Sequence, residues 1–376
     1  MKIVFTGGGT GGHFYPIVAV AEAVHEVVRD KKLVEPELYY MAPEPYNNEV
    51  LYANSVTFLK IPAGKLRHYF SLRNVTDGFK TLWGIVLSLW RLYFLYPDVV
   101  FGAGGYASFP PLVAARILGI PVVIYATDAQ PSRVNKWAGK FAVKIAISFP
   151  DAAKFFPAEK FAFTENPVRK HLMLPAREGA YEFLKLDPTI PVVWILGGSQ
   201  GAVAINDAIL AGLPKLLEEY QVVHQTGEAN ITEVAGRAKI ALEGSAYANR
   251  YKPFGYLNEL ALRMTAGAAK VAVCRSGAGT IFELATWGIP AILVPIPEEI
   301  SHDQTKNALS YARTGAASII EQRNLTPGVL LAEINRILQH QETARTMSQA
   351  ARSFARADAG KVIAEALLSI ALSHEV

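Results

Sequence analysis

Two stretches of this 376-residue chain set glycines beside a side chain that can move a proton or hold a hydroxyl. The first is Gly7-Gly8-Gly9-Thr10-Gly11-Gly12-His13, with five glycines in six residues before the histidine. The second is Cys274-Arg275-Ser276-Gly277-Ala278-Gly279-Thr280-Ile281-Phe282-Glu283. Glycines let a backbone turn tightly and expose its N–H groups. With the positive end of a following helix, such a corner suits a phosphate or diphosphate. Imidazole titrates near neutral pH, which makes His13 a candidate base. A carboxylate one turn into a helix, as expected for Glu283, can accept both hydroxyls of a ribose. The plainer reading of Glu283 is an acid favoured in a first helical turn.

Other readings of the first loop stand beside this one. Gly7, Gly9 and Gly12 satisfy G-x-G-x-x-G, and Glu44 follows the next expected strand, where a ribose-binding acid of a dinucleotide fold could sit. The Lys-Ser/Thr of a Walker A loop is missing. A tight turn without a ligand is the bland alternative, but five glycines exceed what packing alone needs. A third polar stretch, Ser301-His302-Asp303-Gln304-Thr305-Lys306-Asn307-Ala308, could hydrogen-bond sugar hydroxyls or simply begin a helix capped by Ser301 or Asp303.

These stretches need strands behind them and helices after them. The first half alternates expected strands at Ile3–Thr6, Glu37–Met41, Asp98–Phe101 and Pro121–Tyr125 with helices, the first near 17–29, which predicts a parallel α/β sheet. Gly102-Ala103-Gly104-Gly105-Tyr106 puts a second glycine loop at a strand's C-terminal end, the edge where open α/β sheets bind ligands. A short strand at Phe161–Thr164 and Asn166-Pro167 mark a domain boundary. The pattern then restarts with a strand at Pro191–Leu196, the loop Gly197-Gly198-Ser199-Gln200-Gly201 and a helix from Val203. Strands follow at Val222–Gln225, Val271–Cys274, Ala291–Pro295 and Ala317–Ile320. The expectation is two facing, Rossmann-like, doubly wound domains, 1–164 and 165–357, with a cleft between them. A last helix, in about 358–376, could return to the first domain.

Residues 60–96 carry Lys60, Lys65, Arg67, Arg73, Lys80 and Arg91 against a single acid, Asp77. From Phe79 to Tyr96 the chain is almost wholly apolar, with Trp83 and Trp90, near the lower limit of roughly 18 residues for a membrane span. Lys80, Gly84, Ser88 and Arg91 recur at helical spacing as a narrow polar stripe. Two readings follow: a helix lying in a membrane surface, or a core helix whose stripe is solvated. Composition adds bounds. Hydrophobic residues make up 51% of the chain, enough for two cores. A net charge of +4 is too mild to imply nucleic acid, and the lone Cys274 excludes a disulfide framework and fits a reducing cytosol. Met1-Lys2-Ile3 enters a strand with no expected signal peptide.

Taken together, Gly7–His13, Gly102–Tyr106, Asn135-Lys136-Trp137, Asn166-Pro167-Val168-Arg169, Gly197–Ala202, His224-Gln225-Thr226-Gly227, Arg275–Glu283 and Gln304–Ala308 resemble the MurG family, in order, over about 300 residues. The resemblance implies a GT-B glycosyltransferase. Such an enzyme transfers N-acetylglucosamine from UDP-N-acetylglucosamine to undecaprenyl-diphosphate-linked muramoyl-pentapeptide, as a peripheral protein at the cytoplasmic face of the membrane. It implies that Thr10, Gly11 and Gly12 lie near the donor sugar and acceptor diphosphate, with Gly104 and Gly105 on the companion loop. Arg169, Ser199 and Gln200 match positions holding the nucleotide diphosphate, and Leu257 falls where a backbone group pairs with uracil. Ala278, Gly279, Thr280 and Glu283 match the diphosphate and ribose site, and Gln304 a sugar contact. Lys65, Arg67, Arg73, Lys80, Trp83 and Trp90 match the membrane-facing region.

One departure stands out. After Ile120-Pro121-Val122-Val123-Ile124 the family usually carries His-Glu-Gln-Asn, whereas this chain has Tyr125-Ala126-Thr127-Asp128. Ala126 removes a carboxylate, and Asp128 replaces an asparagine expected to touch the sugar. The expected chemistry is direct displacement with inversion at the anomeric carbon, His13 as base and Asp128 as runner-up. No Asp-x-Asp occurs in the chain, so a metal clamp of that type has no support and no cofactor is expected. The alternatives are a related glycolipid glycosyltransferase, a UDP-sugar epimerase, a nicotinamide dehydrogenase and a non-catalytic lipid-diphosphate binder.

Overall fold

A computed structural model describes residues 1–9, 11–65, 73–198, 201–300, 304–355 and 358–373. Thr10, Arg67, Ser199, Gln200 and 301–303 lie outside the described residues, as does the side chain of Arg73. The chain divides into two units, Met1–Lys170 with Ala357–Val376, and His171–Arg356. The division falls a few residues beyond the expected 164/165, because Asn166 and Arg169 are still bound to the first unit's Tyr125 and Tyr15.

The first unit is a seven-stranded, wholly parallel sheet. Its strands are β1 (Lys2–Thr6), β2 (Glu37–Ala42), β3 (Val56–Lys60), β4 (Val99–Gly102), β5 (Val122–Ala126), β6 (Lys144–Ile147) and β7 (Phe161–Phe163), in the order β3-β2-β1-β4-β5-β6-β7. The second unit holds β8 (Val192–Leu196), β9 (Gln221–Gln225), β10 (Tyr251–Phe254), β11 (Ala269–Cys274), β12 (Ala291–Leu293) and β13 (Ala317–Ile319), again all parallel, in the order β10-β9-β8-β11-β12-β13. Central strands such as Val192-Val193-Trp194-Ile195-Leu196 are buried along their whole length, as sheets covered on both faces require. In each unit the strand order reverses beside the first strand, between β1 and β4 and between β8 and β11. Every glycine loop singled out above leaves one of those four strands.

Three strands escape the sequence reading. β3 and β10 are edges and β6 has four residues; Pro253 in β10 is tolerated because an edge strand need not donate every N–H. The first helix starts at Gly11 rather than near 17, so Gly11 and Gly12 form its first turn. The final helix, Ala359–Leu372, buries Ile363, Ala364, Leu367 and Leu368 in the first unit's core along the helix Gly11–Lys31. Lys31–Glu365 and Lys361–Asp30 pairs, at 3.0 and 3.1 Å, flank that contact.

The helix Arg73–Leu95 departs from one expectation. Its polar stripe is solvated only in part: Gly84 and Ser88 are buried and Arg91 is half-buried, while Phe79, Leu82, Trp83, Val86, Trp90, Tyr93 and Phe94 are all more than half exposed. Lys80 is exposed, 3.5 Å from the buried Asp77. Gly84 permits this, since a Cβ there would sit 1.9 Å from the Pro62 carbonyl oxygen. Among the described residues, no helix is long and apolar enough to cross a membrane.

Candidate functional site

In the first unit, β1 delivers its chain to Gly7, whose carbonyl accepts a 2.6 Å hydrogen bond from the buried Tyr40 hydroxyl. Gly9 has φ +97°, and a Cβ there would lie 2.9 Å from the Tyr106 ring. Gly105, at φ +78°, comes closer still: its Cβ would stand 2.4 Å from the Gly8 carbonyl oxygen and 3.2 Å from His13 Cδ2. The two glycine loops therefore press backbone against backbone, which only glycine permits. His13 is half-buried, and its Nδ1 lies 3.0 Å from the Ala103 carbonyl oxygen. A carbonyl only accepts, so Nδ1 carries the proton and Nε2 keeps its lone pair. That is the tautomer a general base at Nε2 needs. Gly12 is exposed and Gly11 half-buried at the same helix start.

Gly104 is buried against Asn135, whose Nδ2 donates to the Tyr125 carbonyl at 3.0 Å. The Asn135-Lys136-Trp137 motif thus braces the second glycine loop. Tyr125 itself is buried, donating to Asn166 Oδ1 and accepting from Ser148 Oγ at 2.5 Å. Burial holds its phenol well above the usual tyrosine value. It is a structural tie between β5, β6 and the Asn166-Pro167-Val168-Arg169 turn, not an accessible acid or base. Ala126 is fully buried at the end of β5. Asp128, half-buried two residues on, accepts from Thr127 Oγ1 at 2.9 Å. Arg169 stacks its guanidinium 4.2 Å from the Tyr15 ring centroid in this same unit. Lys65 is exposed.

The second unit carries glycine loops of its own. Gly197 donates its N–H to the Gln225 carbonyl at 2.9 Å. Gly201, at φ +77°, lies so close to Thr226 that a Cβ would stand 2.2 Å from its carbonyl oxygen. That carbonyl is held by two amide donors, Asn206 Nδ2 and Asn230 Nδ2, each at 3.0 Å. Asn206 Oδ1 in turn faces His224 Nε2 at 3.0 Å, and Tyr251 OH faces His224 Nδ1 at 2.8 Å. Because the Asn206 amide nitrogen is spent on Thr226, its oxygen accepts. His224 therefore carries its proton on Nε2, and Tyr251 donates to Nδ1. Burial pushes the His224 pKa down to about 3. The sequence motif pointed at His224, but nothing in the pattern marked Asn206 or Tyr251 as its partners.

The helix Ala278–Trp287 begins after Gly277 with no side chain capping it. Added Cβ atoms at Gly277 and Gly279 would meet nothing within 4 Å. As at any helix start, the N–H groups of Ala278, Gly279 and Thr280 have no acceptor within the helix, the arrangement that suits an anion. Glu283 is the sixth helical residue and half-buried, so it lies beyond the first turn and the dipole explanation for it fails. Gln304 begins the helix Gln304–Ala312. Its Oε1 accepts from the Ser276 and Ile296 N–H groups, both at 3.3 Å, which leaves Nε2 as the end able to donate to a ligand. Ser276 Oγ donates to the Gln304 carbonyl at 2.8 Å, and Arg275 donates to the Val294 carbonyl at 3.0 Å. Leu257 is fully buried between β10 and the Asn258-capped helix Glu259–Ala268. Cys274 is buried, its thiol pushed up to about 12, which removes it as a nucleophile. No group of three or more His, Cys, Asp or Glu is placed to hold a metal among the described residues.

Residues 3–147 match the glycosyltransferase family 28 N-terminal domain and 192–363 its C-terminal domain. The chain is 34% identical to the UDP-N-acetylglucosamine--N-acetylmuramyl-(pentapeptide) pyrophosphoryl-undecaprenol N-acetylglucosamine transferase of Treponema denticola, over 98% of this chain and 97% of that one. The crystal structure of Acinetobacter baumannii MurG superimposes with a TM-score of 0.72 at 25% identity, covering 98% of this chain and 99% of that one. A UDP-GlcNAc 2-epimerase from Neisseria meningitidis reaches a TM-score of 0.69 at 16% identity, over 98% and 100%, a likeness of fold alone. The two parallel-sheet units are those of a GT-B fold, and with full-length identity to these transferases the chain belongs to the MurG family of glycosyltransferase family 28.

Proposed function

We infer that this chain is an inverting glycosyltransferase that moves N-acetylglucosamine from UDP-N-acetylglucosamine to undecaprenyl-diphosphate-linked muramoyl-pentapeptide, the lipid-linked step of peptidoglycan synthesis. The observation that carries it is the 34% identity to the Treponema transferase along 98% of the chain. The uncapped start of the 278–287 helix supports a diphosphate site in the second unit, where Glu283 receives the ribose hydroxyls and Gln304 Nε2 donates to the sugar. Leu257 supplies a backbone group to uracil. Ser199, Gln200 and Arg169 are assigned to the nucleotide diphosphate by resemblance, and Thr10, Gly11, Gly12, Gly104 and Gly105 to the acceptor side.

In the reaction the acceptor hydroxyl oxygen forms a bond to C1 of the sugar while the C1–O bond to the β-phosphate breaks. Its electron pair leaves with UDP, and the hydroxyl proton passes to His13 Nε2. Inversion turns the α-linked donor into a β product. Helix N–H groups already aimed at the diphosphate stabilise the charge that grows there, at no reorganisation cost. Asp128 is the second candidate base.

The outward apolar face of the 73–95 helix, with Lys65 and Lys80 exposed beside it, fits a protein resting on the cytoplasmic membrane surface. Arg67 and Arg73 belong to the same basic segment. A transfer assay with UDP-N-acetylglucosamine and the lipid-linked muramoyl-pentapeptide tests the whole reading. Appearance of an epimerised donor without acceptor, and no transfer, would mean an epimerase instead.

A further inference from the structure

A cavity of about 470 Å³ lies in the first unit beneath the 73–95 helix, a size typical of ligand pockets, which run about 300–1,000 Å³. Its walls are Leu82 and Ile85 from that helix, Tyr106 and Phe109 beyond the second glycine loop, and Val134 and Trp137. The aromatic wall is braced, with Phe109 and Trp137 ring centroids 5.1 Å apart and Trp137 and Phe141 4.9 Å apart. Asp77 and Arg133 are the charged residues among the lining. A sugar or peptide would lose its water here for few hydrogen bonds, so the walls select hydrocarbon.

Two connections decide which hydrocarbon. At one end, the Tyr106 ring lies against Gly9, and the preceding Gly105 abuts Gly8 and His13. One wall of the cavity is thus continuous with the paired glycine loops, where the reading above puts the acceptor's diphosphate. At the other end, Leu82 both lines the cavity and is 61% exposed, joining it to the outward row of Phe79, Trp83 and Val86.

We propose that this cavity binds the first prenyl units of the acceptor, those next to its diphosphate, before the chain passes over Leu82 to the apolar outer face. The inference rests on the acceptor reading above. The lipid is then a recognised part of the substrate rather than only a tether to the membrane.

Two synthetic acceptors with the same muramoyl-pentapeptide diphosphate head, one carrying four prenyl units and one an n-butyl chain, test this in detergent-free buffer. The kcat/KM ratio between them is the readout. The unmodified chain favours the prenyl acceptor by at least about tenfold, a discrimination that a few methylenes in an apolar pocket supply. Gly78→Phe fills the cavity from a lining position where a Cβ meets nothing within 4 Å. Ile85→Asn makes one wall polar. Both lower the preference to about threefold or less. A preference kept by both variants, or absent from the unmodified chain, overturns the proposal, as does an equal loss in Trp83→Ser, which would assign the lipid to the outer face. No transfer to either acceptor overturns the underlying reading of function instead.

Discussion

Acidification should loosen the second unit through one buried imidazole. His224 is fully enclosed, and burial lowers its pKa from 6.5 to about 3. An unfolded chain returns the imidazole to its ordinary value, so between these two pH values the unfolded state binds the extra proton. Stability from this group is therefore complete above pH 6.5 and is lost as pH falls toward 3. At pH 5, one and a half units below the unfolded value, the loss is about 2 kcal/mol. Hydrogen exchange of the β9 amides, which open only when the unit opens, reads this directly. Comparison with His224→Gln isolates the residue. Glutamine can still donate to Asn206 Oδ1 and accept from Tyr251, but it does not titrate. Between pH 7.5 and 5 the unmodified chain should lose about 2 kcal/mol more opening free energy than the variant. Equal losses in the two proteins would refute the assignment of a neutral, desolvated His224.

Further outcomes follow from the sites themselves. His13→Ala should lower kcat by about 10²–10⁴ while UDP binding measured by calorimetry stays intact, as loss of a general base predicts; a near-normal rate would sink that role. Glu283→Gln should weaken UDP binding by about ten- to a hundredfold, because a charged acceptor of two hydroxyls becomes neutral; unchanged calorimetric affinity would remove Glu283 from the ribose site. Gly105→Ala should lower the first unit's stability by about 2–4 kcal/mol, read by thermal unfolding, because it adds a Cβ 2.4 Å from the Gly8 carbonyl oxygen at a positive φ. Gly119→Ala is the control, having a positive φ but no neighbour within 4 Å, and should cost about 1 kcal/mol or less.

Much of this was legible in the chain, for a physical reason. A glycine loop between a buried strand and a helix leaves its mark in adjacent residues, so the loops after β1, β4, β8 and β11 could be read directly. What joins distant residues could not. Tyr40 reaching Gly7, Asn135 reaching Tyr125 and Asn206 reaching His224 each depend on strand order, which no local pattern encodes. The 73–95 helix was harder still. Its periodicity was plain, yet periodicity says only that two faces differ; here Leu92 and neighbouring leucines pack inward with Gly84 and Ser88, and a second apolar face points out. Close backbone approach at Gly84 decided that, a three-dimensional fact. Likewise Tyr125 at the departure from the usual family motif became interpretable only once its hydroxyl was found between Ser148 and Asn166.

The return of the final helix to the first unit sets an order of assembly. Residues 171–356 are contiguous, so the second unit is complete as a folding unit once they have left the ribosome. The first unit, though begun first, lacks Ile363, Ala364, Leu367 and Leu368 until the last stretch of chain appears. The Asp30–Lys361 pair spans 331 residues, which at about 5–20 residues per second means a wait of roughly 15–70 s. Through that interval the face of the 11–31 helix that the final helix covers stands bare, while on the opposite side of the sheet the 73–95 helix shows its own apolar face. The nascent first half is then the segment most in need of a chaperone or a membrane, and the C-terminal helix acts as the latch that ends its exposure.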